Sequence, residues 1–570
     1  PAFSLSELKN SIFTSDPHPP LYFVIVYFFF KVFGYTSFVL RFISVLMGVA
    51  GVWATFKLGR ELYNKNVGRY AAILATFNYF CLYYSQEGRM YAMLYLTTTL
   101  AFYYLIRFIK HPTNKGFGLY LAWSVLMIYS HLSGLFVLAA QYCILAFFIF
   151  RPYAASAKKM VLYTATAALT SVILYIPVIG IIAKNQDRTS IWIDPPSADV
   201  FTQFYKDFFG GAEVVVMFTL LMLLLYWFQV MRSSTVKTWF VNPDRDKLMF
   251  SALIFSVWIF ITLLLPLIRS YTDLPIMINR YFISIVPALL IMIAIGLNSI
   301  RSRLIQVGIL TIILVFSLTD LLFVKQFYRA HYKSQFREVS QFIINNNTKK
   351  DPVVTRLGFY FPFYLQNNGQ NIPIIDKPLD VFIAQMMTDS TKRQPFWYAD
   401  AHGSKFELSD EQKRFLTEHF SLENSWEGYD AWARYYTIGS GSAIVELTEF
   451  GQIKEANGSP IKFNIDRYEI ADDKATLFGW AFLENQSTNN TRITALLISG
   501  NNARKATTTS YDRKDVTQTL GNGLNLDRSG FAAEIGLNVP TGVYEVGLLV
   551  EDSETGKRGL VKTGKTFSKK

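Results

Sequence analysis

The sequence predicts an α-helical polytopic membrane protein that carries a small outward-facing α/β domain and a C-terminal β-sandwich. Three observations lead there. The 570 residues are 51% hydrophobic and 16% aromatic with only 17% charged, a balance too apolar for a soluble chain of this size. Apolar runs approaching the ~20 residues that cross a bilayer follow one another as far as Asp320. Beyond that point hydropathy falls, and short helix-like and strand-like pieces alternate.

Ten runs are candidate spans: 37–59, 67–85, 89–109, 117–131, 133–150, 160–183, 212–231, 248–268, 281–299 and 304–324. The segment 117–150 reads either as two short spans meeting at His131 or as one broken helix. The run at 21–33 is too short to cross, so 18–33 is expected to lie as a helix in the membrane interface. Clusters such as Lys57/Arg60/Lys65/Arg69, Arg107/Lys110/Lys115 and Arg301/Arg303 fall on every second connection, the pattern of cytoplasmic loops. The opposite, outer side then collects residues 1–20, the turn Ser85 to Arg89, the His131 turn, the loops 184–211 and 269–280, and the chain after about 325. The net charge of +13 is thereby spent on orientation, and no nucleic-acid partner is implied. Cys81 and Cys143 lie in apolar segments and imply no disulfide framework.

The expected division is 1–325 for the membrane module, 326–455 for the α/β domain and 456–570 for the sandwich. In the second, FREVSQFIINN, PFYLQNN and DEQKRFLTEHF read as helices, while DPVVTRLGF, NIPIID, QPFWYAD and ARYYTIG read as strands. In the third, KATLFGWAFL, ITALLIS, GFAAEIGL, VYEVGLLVE and RGLVKTG read as strands between Asn, Gly and Asp turns.

Candidate chemistry gathers on the outer side. Pro17, Pro19 and Pro20 hold Asp16 and His18 in extended chain just ahead of the first apolar run, where a carboxylate beside lipid suits proton transfer or metal ligation. The same turn also suits a simple helix entry. Glu87, in a tight turn between two spans, is a second acid at the same mouth, or a solvated residue paired with Arg89. Arg280 opens a late span, where a guanidinium either grips a phosphate at headgroup depth or snorkels. Arg89 and Lys333 add positive charge on the outer side, and His131 is either a substrate ligand or a satisfied structural histidine. No nucleotide fingerprint, HExxH motif or serine elbow occurs.

In order, DPHPPLYF, SFVLRFISVLMG, LGRELYNKNVGRYAAILATFNYF, YYSQEGRMYAML, YSHLSGLFVLAAQ and NRYFISIVPALL resemble the polytopic GT-C type glycosyltransferases, close to bacterial protein O-mannosyltransferases and aminoarabinose transferases. The likeness covers about residues 1–345 and leaves out the sandwich. It implies an enzyme of the bacterial inner membrane that moves a sugar, with inversion, from a polyprenyl-phosphate carrier to an extracytoplasmic glycan, lipid or protein. It casts Asp16, His18 and Glu87 as catalytic and places Arg280 and Tyr281 near the donor phosphate; Arg89 and Lys333 are expected, from their charge on the outer side, to help bind it. No cofactor is required by the motifs; a divalent metal is left open. The family usually opens with a span ending in an acidic Asp-Glu pair, and we expect that span to precede Pro1. A transporter or flippase of lipid-linked saccharides is the alternative, and it predicts midplane charges and internal repeats that the sequence does not display.

Overall fold

Where the helices break decides how the first part of the chain is built. The computed structural model describes residues 6, 8, 18–150, 157–183, 193–233, 243–330, 333–365, 371–402, 407–439, 444–447, 460–471, 474–500, 502–537, 539 and 542–569. The chain forms two compact units, Pro1–Ala330 and His331–Lys570.

The first unit runs through α1 (Leu21–Phe33), α2 (Ser37–Leu62), α3 (Lys65–Phe77), α4 (Tyr79–Ser85), α5 (Tyr91–Lys110), α6 (Asn114–Ser130), α7 (Gly134–Phe150), α8 (Ala157–Ala183), α9 (Val200–Phe208), α10 (Glu213–Arg232) and α11 (Lys247–Thr272). A 3-10 segment, Asn279–Ile285, then leads into α12 (Val286–Asn298), and α13 (Arg303–Thr319) follows. Among the described residues, seven helices are long and apolar enough to cross a membrane, and the protein is a multi-pass membrane protein.

Three of the ten expected spans fall short. The run 67–85 breaks at Asn78, whose side chain accepts from Cys81 N–H at 2.9 Å and donates to the Phe208 carbonyl at 2.7 Å. An amide that satisfies two backbone groups this way ends α3 and caps α4. The runs 117–131 and 133–150 are separate helices of 17 residues each, parted at His131. Each rises about 26 Å, less than the ~30 Å hydrocarbon core. The helix expected over 18–33 begins at Leu21.

Burial ranks the spans. The apolar windows of Tyr91–Lys110 and Asn279–Asn298 are 83% and 89% buried, whereas those of Lys159–Gly180 and Arg303–Val324 are 22% buried and present apolar side chains outward, as lipid-facing helices do. The centre is packed backbone to backbone: a Cβ on Gly296 would come 2.0 Å from the Met222 carbonyl, so only glycine lets α10 and α12 approach this closely. Phe102 of α5 stacks on Trp258 of α11 with centroids 3.6 Å apart. At one end of the bundle, Lys110 Nζ donates to the Glu61 carbonyl at 2.6 Å and lies 3.8 Å from Asp244. The site described below is at the opposite end of α5.

The second unit starts with α14 (Phe336–Asn346), β1 (Val353–Thr355), α15 (Phe361–Leu365), β2 (Ile374–Asp376), α16 (Leu379–Thr388), β3 (Phe396–Ala401), α17 (Asp410–His419), β4 (Phe420–Glu427) and β5 (Ala431–Ile438). Its sheet has the order β2-β1-β3-β5-β4, with β2, β1 and β3 parallel and the other pairs antiparallel. One face packs on α14 and α15 through Phe336, Val339 and Phe361, the other on α16 and α17 through Phe382, Ile383 and Phe415.

A β-sandwich follows, from β6 (Ile444–Glu446), β7 (Ile461–Ile470), β8 (Lys474–Leu483), β9 (Thr491–Ser499), β10 (Asn502–Lys505), β11 (Thr507–Tyr511), β12 (Gly530–Gly536), β13 (Gly542–Asp552) and β14 (Arg558–Lys569). Its sheets, β14-β13-β9-β10-β6 and β11-β12-β8-β7, enclose a core that includes Leu477, Leu497, Phe531 and Leu548. Strand β6 already pairs with β10, ahead of the boundary expected at 456.

Candidate functional site

The two most buried spans begin with the residues the sequence singled out. Glu87 and Arg89 lie in the turn before α5, and Arg280 and Tyr281 in the 3-10 segment before α12. Because both helices are held on nearly all sides, the groups at their ends are fixed with them. The turn itself is tied down. Arg89 N–H donates to the Glu87 carbonyl at 2.8 Å, and the Arg89 carbonyl accepts from Ser44 Oγ at 3.4 Å. A Cβ on Gly88 would come 2.6 Å from Leu40, so glycine lets the turn lie flat on α2.

His131 is the most constrained member. It is 2% exposed, and its Nδ1 accepts the Ser133 backbone N–H at 3.1 Å with Ser133 Oγ at 2.9 Å. A ring nitrogen that accepts from a backbone amide leaves the proton on Nε2. That Nε2–H is buried and has no hydrogen-bond partner among the described residues. Burial, then the charges of His18 and Arg280, hold the imidazole well below its ordinary value of 6.5, so it stays neutral.

Ring contacts tie the members together. The His131 centroid is 5.6 Å from His18, 5.8 Å from Tyr91 and 4.9 Å from Tyr281. The Arg280 guanidinium lies over the Tyr91 ring at 6.0 Å, a cation–π distance. Glu87 and Arg280 both act electrostatically on the phenols of Tyr83 and Tyr84. His18, His131, Arg280 and Tyr281 are thus joined, Arg280 through Tyr91, and Glu87 stands in the turn just ahead of Tyr91. Arg89 is exposed beside it. Lys333 is exposed in the second unit. Asp16 lies outside the described residues.

Sequence reasoning missed the groups that hold Arg280 in place. Asn279 Oδ1 accepts the Arg280 N–H at 2.6 Å, and Asn279 Nδ2 donates to Asp207 of α9 at 2.8 Å. Gln203 donates to the other oxygen of Asp207 at 3.0 Å. The signal available was the Asn ahead of Arg280-Tyr281; its partner, 72 residues upstream, had none. Among the described residues no group of three or more His, Cys, Asp or Glu side chains is placed to hold a metal ion.

Chemically, the cluster offers a guanidinium, a neutral N–H donor without a partner among the described residues, a half-buried carboxylate and aromatic walls. An anion with a polar, partly apolar body suits it.

Residues 17–181 match the family model described as dolichyl-phosphate-mannose-protein mannosyltransferase. The resemblance seen in the motifs is thus found independently over the stretch that holds His18, Glu87, Arg89 and His131. No curated protein matches the sequence. Among solved structures, ArnT from Cupriavidus metallidurans bound to undecaprenyl phosphate is similar at 11% identity, over 75% of this chain and 92% of that one, with a TM-score of 0.48. The oligosaccharyltransferase AglB from Archaeoglobus fulgidus, in complex with an inhibitory peptide and a dolichol-phosphate, is similar at 11% identity over 69% and 64% of the two chains, TM-score 0.44. The Archaeoglobus fulgidus oligosaccharyltransferase tethered to an acceptor peptide is similar at 10% identity over 99% and 93%, TM-score 0.45.

Proposed function

We propose that this chain is a membrane glycosyltransferase that takes a hexose or related sugar from a polyprenyl-phosphate carrier and passes it to a glycan, lipid or protein outside a bacterial plasma membrane. The observation that carries this reading is the gathering of His131, Tyr281 and Arg280 at the ends of the two most buried helices, with Glu87 in the turn that opens one of them, within a chain whose 17–181 stretch matches a lipid-phosphate-sugar transferase family. The carrier chain has apolar helix faces to lie against, and its phosphate has Arg280 as counter-ion.

In this reading a carboxylate, Glu87 or Asp16, takes the proton of the acceptor hydroxyl as its oxygen attacks the anomeric carbon. The bond to the carrier phosphate breaks on the opposite face, which inverts the centre. Arg280 stabilises the charge that builds on the departing phosphate, and the His131 Nε2–H adds a donor that costs no reorganisation, because its tautomer is already set. Tyr281 walls the phosphate side, His18 orients the acceptor, and Arg89 draws the anionic headgroup inward.

The test is transfer from polyprenyl-phosphate sugars by the protein in lipid bilayers. Glu87→Gln and Arg280→Ala are expected to lower kcat on the order of 10²-fold or more, the loss seen when one transition-state contact is removed. Unchanged rates in both variants overturn the site assignment.

A further inference from the structure

Arg280 can meet a phosphate only if its guanidinium is held in place, and it stands on a short 3-10 segment, Asn279–Ile285. Helix α9 grips that segment on both sides of Arg280. Asp207 accepts from Asn279 Nδ2 at 2.8 Å, and the Phe204 ring lies 5.3 Å from Phe282. A helix of nine residues has little stability of its own, so its position comes from what it is tied to.

Those ties converge just past its last turn. Asn78 Nδ2 donates to the Phe208 carbonyl at 2.7 Å, and the Phe208 ring meets Phe80 edge-on at 5.0 Å. Gly210 and Gly211 follow with φ of +83° and +79°, a conformation glycine takes without strain. The Gly210 carbonyl accepts from Lys325 Nζ at 2.6 Å. A Cβ on Gly210 would come 2.9 Å from Tyr79 and 3.4 Å from Asp320 Oδ2, so only glycine brings this carbonyl so close to the pair.

Lys325 is itself aimed by local structure. After α13 the chain makes one π turn, Asp320–Val324, closed by the Lys325 N–H on the Asp320 carbonyl at 2.8 Å. Such a turn joins residues five apart and brings the two side chains together, and the Asp320 carboxylate accepts from Nζ. The Nζ also lies 5.0 Å over the Tyr79 ring of α4. With side chains 25% and 11% exposed, Lys325 and Asp320 are shielded enough for a charged hydrogen bond to outweigh one on an open surface. A continuous path of bonds therefore runs from Lys325 through the Gly210 carbonyl, the last turn of α9 and Asp207 to Asn279. We propose that Lys325 is a positioning residue, which fixes the end of α9 and thereby the place of Arg280. What Arg280 does there rests on the transferase reading; the mechanical link does not.

The experiment uses the full chain in lipid nanodiscs and reads Arg280 directly, by the rate at which phenylglyoxal modifies it, measured by mass spectrometry of its peptide with Arg89 as internal control. Lys325→Met is expected to speed modification of Arg280 on the order of tenfold, the scale of one lost hydrogen bond to a charged group, and to leave Arg89 unchanged. Lys325→Arg, which can still donate to the carbonyl, should restore most of the protection. Asp207→Ala cuts the same path at a second point and keeps the test decisive if Lys325→Met misfolds; with Asp207→Ala in place, Lys325→Met should add nothing. Transfer from a polyprenyl-phosphate sugar, followed in parallel, should lose about tenfold in kcat in Lys325→Met with the acceptor KM unchanged, since Arg280 acts on the departing phosphate. The proposal is overturned if Arg280 keeps its wild-type rate of modification in both variants, if Arg89 speeds up with it, or if the two substitutions multiply. Faster modification with unchanged transfer would uphold the link from Lys325 to Arg280 and overturn the role of Arg280 in transfer.

Discussion

The cluster at the end of α5 and the tie at the end of α9 are both mixed groups of charged and aromatic residues, yet their charges are handled in opposite ways. In the tie Lys325 meets the Asp320 carboxylate and the Gly210 carbonyl. In the cluster the Arg280 guanidinium stands over Tyr91, and the neutral His131 Nε2–H has no hydrogen-bond partner among the described residues. The first arrangement is suited to holding backbone in place, the second to an anion. What each cation faces, more than residue type, separates the two regions.

The comparison breaks most sharply at Arg280. Replacing it with Ala is expected to lower transfer on the order of 10²–10³-fold, while Arg280→Lys recovers only part, since a point charge lacks the planar fork that holds two phosphate oxygens. Full recovery by Lys in a steady-state transfer assay would mean that charge alone matters there.

A smaller effect is expected at His131, where the claim is a neutral donor. His131→Ala should lower transfer about tenfold, the worth of one hydrogen bond, and His131→Gln, which keeps an N–H, should recover most of it. A stability signature separates this from packing. His131 is held below 6.5 by burial and by His18 and Arg280, so the folded state resists its protonation. Stability is then full above about pH 6.5 and falls as pH drops toward the folded value, because the unfolded chain binds the extra proton. In His131→Gln the melting temperature between pH 7 and 5 should decline less steeply than in the wild type; equal slopes would remove the buried neutral imidazole from the account.

How much of this was legible in the sequence follows from the same contrast. The cluster's residues sit where apolar runs stop, and a charge at such an edge is conspicuous; His18, Glu87, Arg89, Arg280 and Tyr281 all stood out for that reason. The fold class followed from run length and from strand alternation. The break at His131 was also in view, as the meeting point of two short spans; the break at Asn78 was not, because a single amide satisfying two backbone groups outweighs the hydropathy of the residues around it. Helix α14 matches FREVSQFIINN residue for residue, whereas α16, LDVFIAQMMT, was not picked out; its apolar residues suit a buried strand as well as a helix. The tie at the end of α9 was invisible for a topological reason: Asp207, Asn279 and Lys325 lie far apart in sequence, and only the packing of α9 between the 3-10 segment and the end of α13 brings them onto one path.

The smallest effect is expected at a cation of the second unit, Arg356, whose Nε lies 2.9 Å from Asp400 Oδ2. Asp400 is pushed above the ordinary carboxylate value by burial, with the Ala401 N–H and Arg356 pulling it back. A raised carboxyl means the folded state binds more protons than the unfolded one just above pH 3.8, so its contribution to stability is present below that pH and is lost as pH rises through the folded value. At neutral pH the ionised Asp400 is a standing cost to the fold. Asn keeps the acceptor for Ala401 and removes the buried charge, and the half-exposed Arg356 it abandons loses an ion pair worth at most about 1 kcal/mol. Asp400→Asn should therefore melt within a few degrees of the wild type at pH 7. A large drop in melting temperature would instead make Asp400 a structural tie between β1 and β3, and would place Arg356 with Lys325 among the cations that hold backbone.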